Sequence, residues 1–491
     1  MAAISSLGIG SNLDLTTLLA NLKSGEQSAL VPMQKQQISF TSKLTAYGQL
    51  NSALSGLQTA ATALSKAELF QGVKASSSDS AVLSATASAS AASGTYAVNV
   101  TQLTQAHSLA AAGVASTSAK IGADVSTTVT IDFGTISGGT LGTDGKYTGA
   151  TVFTPPAVPP TAASITIDSS NNTLAGIRDA INASTTLGVT ASIINDGDAT
   201  SPNRLVLTSK QSGEASSMRI TVAGDTAIRD LLANNPAGGV PAAQLQQTAV
   251  AQNTKLTVNG IAVTSATNSV AGAVQDVTMT VSKIGSSTLT VAKDTSSVQS
   301  AITTFVNAYN SLQSVSKQLS AFDTTKKTGA ALLGDSVLRN IQVGIRSALT
   351  SPQTADSTGL TMLSEIGVAF QKDGTLLTDA TKLTAALGSK LSGVANLFSG
   401  NAGVGGYGTQ LAALITTYTD TTGTLSSATK GINSSLDKLS KQYTATTERI
   451  DATVARYKAQ FTQLDQMISR MNQTSSYLTQ QFDAINNTTT K

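Results

Sequence analysis

The sequence predicts an α+β multidomain protein, in which helices from both ends of the chain form a coiled-coil leg that carries an inserted β-rich head of two subdomains. Apolar residues recur every seven positions near both ends of the chain. Between about residues 76 and 295 the apolar residues alternate with polar ones instead. The length of 491 residues is enough for roughly three domains. These three observations together predict the fold class.

The longest seven-residue pattern lies at the C-terminus. It has two registers, which polar Thr447 and Ser475 interrupt. The first register is Leu436, Tyr443, Ile450, Tyr457, Leu464, Met471, Leu478 and Ile485, and the second is Val454, Phe461, Ile468 and Phe482. A repeat of 3.5 residues keeps one stripe of a helix against one neighbour. The pattern therefore predicts a helix on the order of 80 Å long that packs along a partner helix.

Two shorter stretches show the same spacing. The N-terminal stretch contains Met33, Phe40, Tyr47, Leu54 and Ala61 in one register and Leu50, Leu57 and Leu64 in the other. The third stretch contains Val298, Phe305, Leu312 and Leu319 against Ile302 and Tyr309. A plain helix bundle would explain any one of these stretches. Three of them, with the longest at the end of the chain, favour an extended coiled-coil leg.

The pattern in the middle of the chain predicts antiparallel sheets. Alternating runs rich in Val, Ile and Thr predict half-buried strands at residues 95–100, 164–167, 204–208, 255–258 and 278–281. Asn259-Gly260 stands between two apolar runs and predicts a two-residue hairpin turn. The prolines at 155–160 predict a stiff loop or subdomain edge, since proline cannot donate to a sheet ladder. A short helix from Leu174 to Ile181 is expected after Asn172-Thr173, which resembles a helix cap.

Composition excludes several classes of protein. The chain has no Cys and a single His, so a disulfide framework, a thiolate metal site and a His-rich metal site are not expected. Its 31 basic and 28 acidic residues give a net charge of +3, which predicts no nucleic-acid affinity. No apolar run reaches the roughly 18 residues of a transmembrane helix, and the first residues lack the basic start of a signal peptide. We expect a soluble protein without membrane insertion that, if exported, leaves the cell by another route.

Three short segments could carry chemistry, and each has a simpler interpretation. Gly8-Ile9-Gly10 precedes a helix but lacks the rest of a phosphate-binding motif, so a flexible lead-in capped by Ser11, Asn12 or Asp14 is favoured. The run 195–198 lacks the Glu of a calcium loop and is expected to be a turn. His107 has no acidic neighbour in sequence and is expected on the surface or in a loop. We therefore predict no catalytic residue, no cofactor and no metal site.

Several segments resemble the bacterial flagellar filament cap family, also called the flagellar hook-associated protein 2 family. The resemblance covers nearly the whole chain, although residues 106–165 resemble nothing familiar. The segments that carry it are residues 4–11 and 43–48 for the N-terminal domain, 94–103 for the first head strand, 305–310, 332–336 and 366–376 for the C-terminal domain, and 174–208 and 256–281 for small β modules. We identify the chain on these motifs as a member of that family, and not an enzyme.

The resemblance implies a structural factor at the distal tip of the flagellar filament. Such a protein promotes the folding and insertion of exported flagellin and prevents its leakage. The implied partners are a ring-like homo-oligomer, usually a pentamer, flagellin and the filament end, the hook-associated junction proteins, and a cytoplasmic export chaperone at the C-terminal region. Type III export would place the protein outside the cell, on the flagellum. The few aromatic residues and the absence of disulfides suit a chain that crosses a narrow channel unfolded.

The resemblance and the periodic patterns together predict a division of the chain into segments. Residues 1–40 form a mobile helical tail that contacts the filament, and residues 41–75 form the first part of the leg. Residues 76–105 and 249–294 form one head subdomain, and residues 106–248 form the outer one. Residues 295–435 continue the helical leg and residues 436–491 form the C-terminal coiled-coil helix. The predicted oligomer or filament contacts are Phe40, Tyr47, Leu54, Val454, Phe461, Leu464, Ile468, Leu478 and Phe482.

Three alternatives stay open on the sequence alone. One is another axial protein, either a hook–filament junction protein or a flagellin. Another is a surface adhesin whose β-rich head binds glycan or mucin, and adhesion is also a possible second role of a cap. An enzyme of unknown type is disfavoured by the absence of a catalytic set.

Overall fold

The computed structural model describes residues 14–156, 162–238, 245–354, 356–400 and 404–488. The chain divides into two compact units. Unit 1 combines Met1–Phe70 with Thr295–Lys491, and unit 2 is Gln71–Asp294. Gly8-Ile9-Gly10, Ser11 and Asn12 lie outside the described residues, as do four residues of the proline-rich run at 155–160.

Eleven α-helices and twenty strands occur within the described residues. The helices are α1 Leu15–Gln27, α2 Leu30–Leu64, α3 Ala67–Gln71, α4 Leu174–Ala183, α5 Thr226–Leu232, α6 Thr295–Ser320, α7 Ser336–Thr350, α8 Ala380–Ser389, α9 Leu391–Ser399, α10 Tyr407–Thr419 and α11 Thr424–Thr488. The strands are β1 Val73–Ser77, β2 Leu83–Ala87, β3 Gly94–Gln102, β4 Ala106–Ala110, β5 Thr127–Leu141, β6 Tyr147–Thr154, β7 Ala163–Ile167, β8 Val189–Asn195, β9 Asn203–Ser212, β10 Ser217–Ala223, β11 Gln246–Ala249, β12 Thr254–Val258, β13 Ile261–Ser265, β14 Ser269–Val274, β15 Val277–Val281, β16 Gly285–Lys293, β17 Phe322–Asp323, β18 Thr328–Gly329, β19 Val368–Phe370 and β20 Leu376–Thr378.

The core of unit 1 contains residues of the seven-residue apolar registers that the sequence predicts in the N-terminal stretch and in the stretch that begins at Val298. In α2 and α6 the seven-residue positions from Tyr47 and from Val298 onward are buried in one continuous apolar core. α2 packs against α6, α10 and α11. Phe305 of α6 meets Phe398 of α9 edge-to-face, with ring centroids 6.0 Å apart. Because α2 and α6 come from distant parts of the sequence, the core of unit 1 joins the N-terminal segment to the segment that begins at Thr295.

Two short hairpins interrupt the region 295–435, for which the sequence predicts helices alone. One pairs β17 with β18, and the other pairs β19 with β20. In the second hairpin the turn ends at Gly374, whose φ of 87° is unfavourable for other residues. The strands are two or three residues long, too short to produce an alternating pattern in the sequence.

Unit 2 contains two β modules with separate cores. The first module packs a five-stranded sheet, β1-β16-β3-β12-β13, with a three-stranded sheet, β14-β15-β2. The predicted hairpin is confirmed, since Val258 of β12 pairs with Ile261 of β13 across the two-residue turn. Asn259 and Gly260 have φ of 48° and 82°, as a type I′ turn requires.

The second module contains the sheets β10-β5-β6, with β7 also paired to β5, and β11-β4-β9-β8. The predicted short helix is confirmed as α4, and the side chain of Thr173 accepts the N–H of Gly176 at its start. Asn195 ends β8 and residues 196–202 connect it to β9, so the run lies where a turn was expected. The architecture of helical ends and a β-rich middle agrees with the predicted fold class.

The prediction of a surface or loop position for His107 is wrong. His107 lies on β4 and is 0% exposed. Its Nδ1 accepts the N–H of Met218 at 2.9 Å, and its Nε2 lies 2.8 Å from Oε1 of Gln247. Both partners are more than 100 residues away in sequence, so no local pattern could show them.

Candidate contact surface of the terminal helix

α11 is a single helix of 65 residues. The segment contains no proline and one glycine, Gly431, so nothing in its backbone ends or kinks it. At 1.5 Å per residue it is about 100 Å long. A helix of this length has no interior of its own, and its apolar stripe must be covered by other elements.

The first half of α11 is covered by this chain. It packs on α2 and α1, and Gln34 of α2 donates to the hydroxyl of Tyr443 at 3.2 Å. Leu439 is 6% exposed and Ile450 is 3% exposed. Leu439 is not among the contacts predicted from the sequence. A further seven-residue register, Leu425, Ile432, Leu439 and Thr446, is the signal that could have identified it.

Within the described part of the chain, residues 470–485 of α11 are all exposed, whereas Phe461 and Ile468 are half-buried. Seven positions spaced alternately by four and three residues form one continuous stripe, which we call the distal stripe: Leu464, Ile468, Met471, Ser475, Leu478, Phe482 and Ile485. Leu478 is 49% exposed and Phe482 is 63% exposed. The stripe extends for about 30 Å along the helix. Six of its seven residues are apolar, which is the pattern of a helix that packs against a partner.

Charge contributes little to this surface. Residues 461–485 contain two acidic residues and one basic residue, Asp465, Asp483 and Arg470. Contact through the distal stripe would therefore be stabilised mainly by burial of apolar area, which depends little on salt. Among the residues that the structure describes, no group of His, Cys, Asp and Glu side chains could hold a metal ion.

The predicted contact residues of α11 fall into two groups. Val454, Phe461 and Ile468 are half-buried, whereas Leu464, Leu478 and Phe482 are exposed. All of them lie on α11, so one helix carries six of the nine predicted contacts.

The three predicted contacts on α2 differ from these. Phe40 is half-buried, but Tyr47 and Leu54 lie in the core of unit 1. The Tyr47 hydroxyl donates to Oδ2 of Asp335 at 2.7 Å, while Oδ1 of Asp335 accepts the N–H of Leu338 at the start of α7. Burial, followed by the neighbouring Asp335 carboxylate, raises the pKa of Tyr47. Tyr47 and Leu54 therefore stabilise this chain's own fold, and the distal stripe contains neither.

Hydrogen exchange on the isolated chain should separate the two halves of α11. We expect amides at residues 464–485 to exchange at least tenfold faster than those at 439–454, because helix without tertiary packing opens by fraying. Mass spectrometry of peptides from α11 measures this directly. Equal, slow exchange along the whole helix would show that the distal stripe is already covered.

Comparison with known proteins places this arrangement in a family. The model of the flagellar hook-associated protein 2 N-terminus matches residues 11–107, and that of its C-terminus matches residues 251–473. The flagellin hook IN motif matches residues 159–211. Flagellar hook-associated protein 2 of Escherichia coli K12 is 39% identical over the full length of both chains. The chain belongs to the flagellar hook-associated protein 2 family.

Other members of the hook-associated protein 2 family agree with this assignment. The protein of Salmonella typhimurium is 39% identical and covers 99% of this chain and 100% of its own length. The B-type protein of Pseudomonas aeruginosa is 33% identical, with 92% of this chain and 91% of its own length covered. The crystal structure of the flagellar cap protein FliD D1-D2-D3 domains from Escherichia coli superimposes with a TM-score of 0.59 and 36% identity, over 79% of this chain and 99% of that one. The family predicted from the sequence motifs is confirmed, and so is its mixed fold class.

Membership of the hook-associated protein 2 family also bears on the other hypotheses. The family models begin near the N-terminus and extend into α11, and the Escherichia coli K12 protein matches along its whole length. They favour a cap over a junction protein, a flagellin or an adhesin. No helix within the described residues is long and apolar enough to cross a membrane.

Proposed function

We propose that this chain caps the distal end of a bacterial flagellar filament, where it promotes the folding and insertion of exported flagellin and prevents its leakage. The proposal rests on the full-length similarity to flagellar hook-associated protein 2 and on the likeness to a solved flagellar cap protein. It is a structural role and requires no catalytic residue, cofactor or metal.

The observation that carries the mechanism is the distal stripe, in which every residue except half-buried Ile468 is exposed in the described part of the chain. An apolar stripe about 30 Å long is unfavourable in water, and covering each of its large side chains contributes roughly 1.5–3 kcal/mol. A partner that supplies a complementary helix would therefore bind the distal stripe through burial of apolar side chains rather than through attraction between charges. We propose that this partner is a subunit of the filament end or a neighbouring copy of the chain. Polar Ser475 in the middle of the stripe weakens a permanent pairing, which suits a contact that must be renewed as the filament grows.

Further partners belong to the same proposal. The chain would form a ring-like homo-oligomer, with five copies as the family resemblance implies. It would adjoin the hook-associated junction proteins before the filament grows. A cytoplasmic chaperone would cover the C-terminal region before type III export, and the distal stripe is a suitable surface because it is apolar and exposed. After export the protein would reside at the filament tip.

Deletion of the gene tests the proposal. We expect mutant cells to export flagellin and fail to polymerise it, so that monomeric flagellin accumulates in the medium and motility is lost. Immunoblotting of the culture medium and swimming in soft agar measure the two effects. Expression of the intact chain in the mutant is the control and should restore both. Filaments of normal length on the deletion strain would contradict the proposal.

A further inference from the structure

The edge strand β13 of the five-stranded sheet has an open side. In the β12–β13 hairpin, Val258 and Ile261 flank the two-residue turn and form a hydrogen-bonded pair. Along the ladder, hydrogen-bonded pairs then alternate with non-hydrogen-bonded pairs. The backbone N–H and C=O groups of Ala262 and Thr264 consequently point away from β12. Within the described residues these groups have no hydrogen-bond partner. β13 thus presents two donors and two acceptors to any further strand.

Three other edge strands of unit 2, β1, β14 and β8, are protected against such pairing. β1 carries Lys74, and β14 has a bulge between Ala271 and Val274. On β8, both backbone groups of Ala191 are bonded to the side-chain amide of Asn182, at 2.8 Å each. Each of these devices prevents the addition of a strand.

β13 has none of these protections. Its sequence, Ile-Ala-Val-Thr-Ser, contains no charge, no proline and no glycine, and it pairs with β12 without a bulge. Ile261 is 71% exposed although it lies on the same sheet face as buried Val258. A neutral, regular edge with an exposed apolar residue is a template for pairing with another chain.

We propose that β13 pairs antiparallel with β13 of a second copy of this chain, centred on Val263. In this register Ala262 of each copy stands opposite Thr264 of the other copy, which gives two symmetry-related pairs. Each pair forms two backbone hydrogen bonds, so four bonds satisfy all the N–H and C=O groups that point away from β12. Val263 faces Val263 of the second copy, and Ile261 faces Ser265. The strand is therefore complementary to itself in hydrogen bonding, and no charge opposes the contact. It is separate from the distal stripe and does not depend on the proposed function.

The contact has a defined symmetry and strength. An isologous pairing relates two chains by a two-fold axis, so it joins chains in pairs and does not by itself close a five-membered ring. Two five-residue strands bury less than the roughly 1,200 Å² of a stable interface, so the contact is weak between free chains. It strengthens when several copies are held together in one assembly.

Single cysteines test this register, because the natural chain has no cysteine. Directly opposed residues in a non-hydrogen-bonded antiparallel pair have Cβ atoms about 4.5–5.5 Å apart, close to disulfide geometry. We expect full-length Val263→Cys to form disulfide-linked dimers under mild copper–phenanthroline oxidation at least tenfold faster than Ala271→Cys, a matched variant on the bulged edge strand β14. Ile261→Cys and Ser265→Cys should cross-link poorly alone and efficiently as an equimolar mixture.

A second change tests the backbone contribution. Thr264→Pro removes an outward N–H that β12 does not use, so the hairpin keeps its ladder while the added strand loses a bond. Combined with Val263→Cys, it should lower the cross-linking rate at least tenfold, with unit 2 still folded by circular dichroism. Equal cross-linking of Val263→Cys and Ala271→Cys would overturn the proposal. Amide protection of β13 that appears only when flagellin is added would also overturn it, by assigning the edge to a different partner.

Discussion

A chain with Leu464→Asp, Met471→Asp and Leu478→Asp should keep its fold and lose its ability to cap filaments. The three residues occupy one register of the distal stripe, seven positions apart, and all are exposed in the single chain. Their replacement therefore costs the isolated protein little, within about 0.5 kcal/mol per site. Covering three such side chains contributes at least about 4.5 kcal/mol to a contact, so the affinity for the partner should fall by roughly 10³-fold or more.

The chain offers a closely matched control on the opposite face of the same helix. Gln466, Gln473 and Gln480 are also exposed and also seven residues apart, each two positions from a residue of the stripe. The variant with Gln466→Asp, Gln473→Asp and Gln480→Asp introduces the same three charges into α11 without touching the stripe. It should restore swimming to a deletion strain, whereas the stripe variant should not.

Two measurements make this comparison interpretable. Thermal unfolding followed by circular dichroism should be the same for both variants, since neither set of residues is buried. The amount of each variant in the culture medium must also be compared, because the export chaperone could use the same face. A stripe variant that is exported normally and still supports motility would show that α11 does not anchor the protein through this surface.

We expect His107→Ala to unfold the second module of unit 2 more easily, by about 2–5 kcal/mol. The substitution removes a fully buried ring and leaves two buried groups without partners, the N–H of Met218 and Oε1 of Gln247. Each unsatisfied buried group costs about 1–3 kcal/mol, and the cavity adds to this loss. Urea unfolding of the intact chain, followed by hydrogen exchange at β4 and β10, measures the effect.

Partial rescue distinguishes lost hydrogen bonds from lost volume. His107→Asn supplies a carbonyl oxygen near the position of Nδ1, and His107→Gln supplies an N–H near the position of Nε2. Each should recover part of the stability that His107→Ala loses. If His107→Ala unfolds at the same urea concentration as the natural chain, the buried hydrogen bonds of His107 contribute nothing to stability.

The same histidine makes stability depend on pH. Because Met218 donates its N–H to Nδ1, the proton of the neutral ring is on Nε2 and is donated to Gln247. Burial, only partly opposed by the hydrogen bond to Gln247, lowers the pKa of His107 below its ordinary value of 6.5. The unfolded chain therefore binds a proton before the folded chain does. Stability should be greatest above pH 6.5 and fall as the pH decreases from 6.5 through the folded-state pKa. His107→Asn should remove this dependence, since the chain has no other histidine.

The sequence was sufficient to identify a structural element wherever one stretch of the chain carries a characteristic local pattern. Seven-residue spacing identified α2, α6 and α11, because a helix buries one stripe and the stripe must recur with the helical period. Asn259-Gly260 identified the β12–β13 turn, because two successive residues with positive φ have few possible sequences. The motifs also identified the family, since they occur along the whole chain in the expected order.

Only the tertiary structure decided which predicted stripe residues are covered by the chain itself. Tyr47 and Phe482 each belong to a seven-residue apolar register of the sequence. Tyr47 is nevertheless 4% exposed, whereas Phe482 is 63% exposed. Spacing shows that a residue faces a neighbour, but it does not show whether that neighbour belongs to the same chain. His107 was misplaced for the same reason, because Met218 and Gln247 reach it only through β10 and β11. Burial depends on contacts between distant segments, and local pattern carries no information about them.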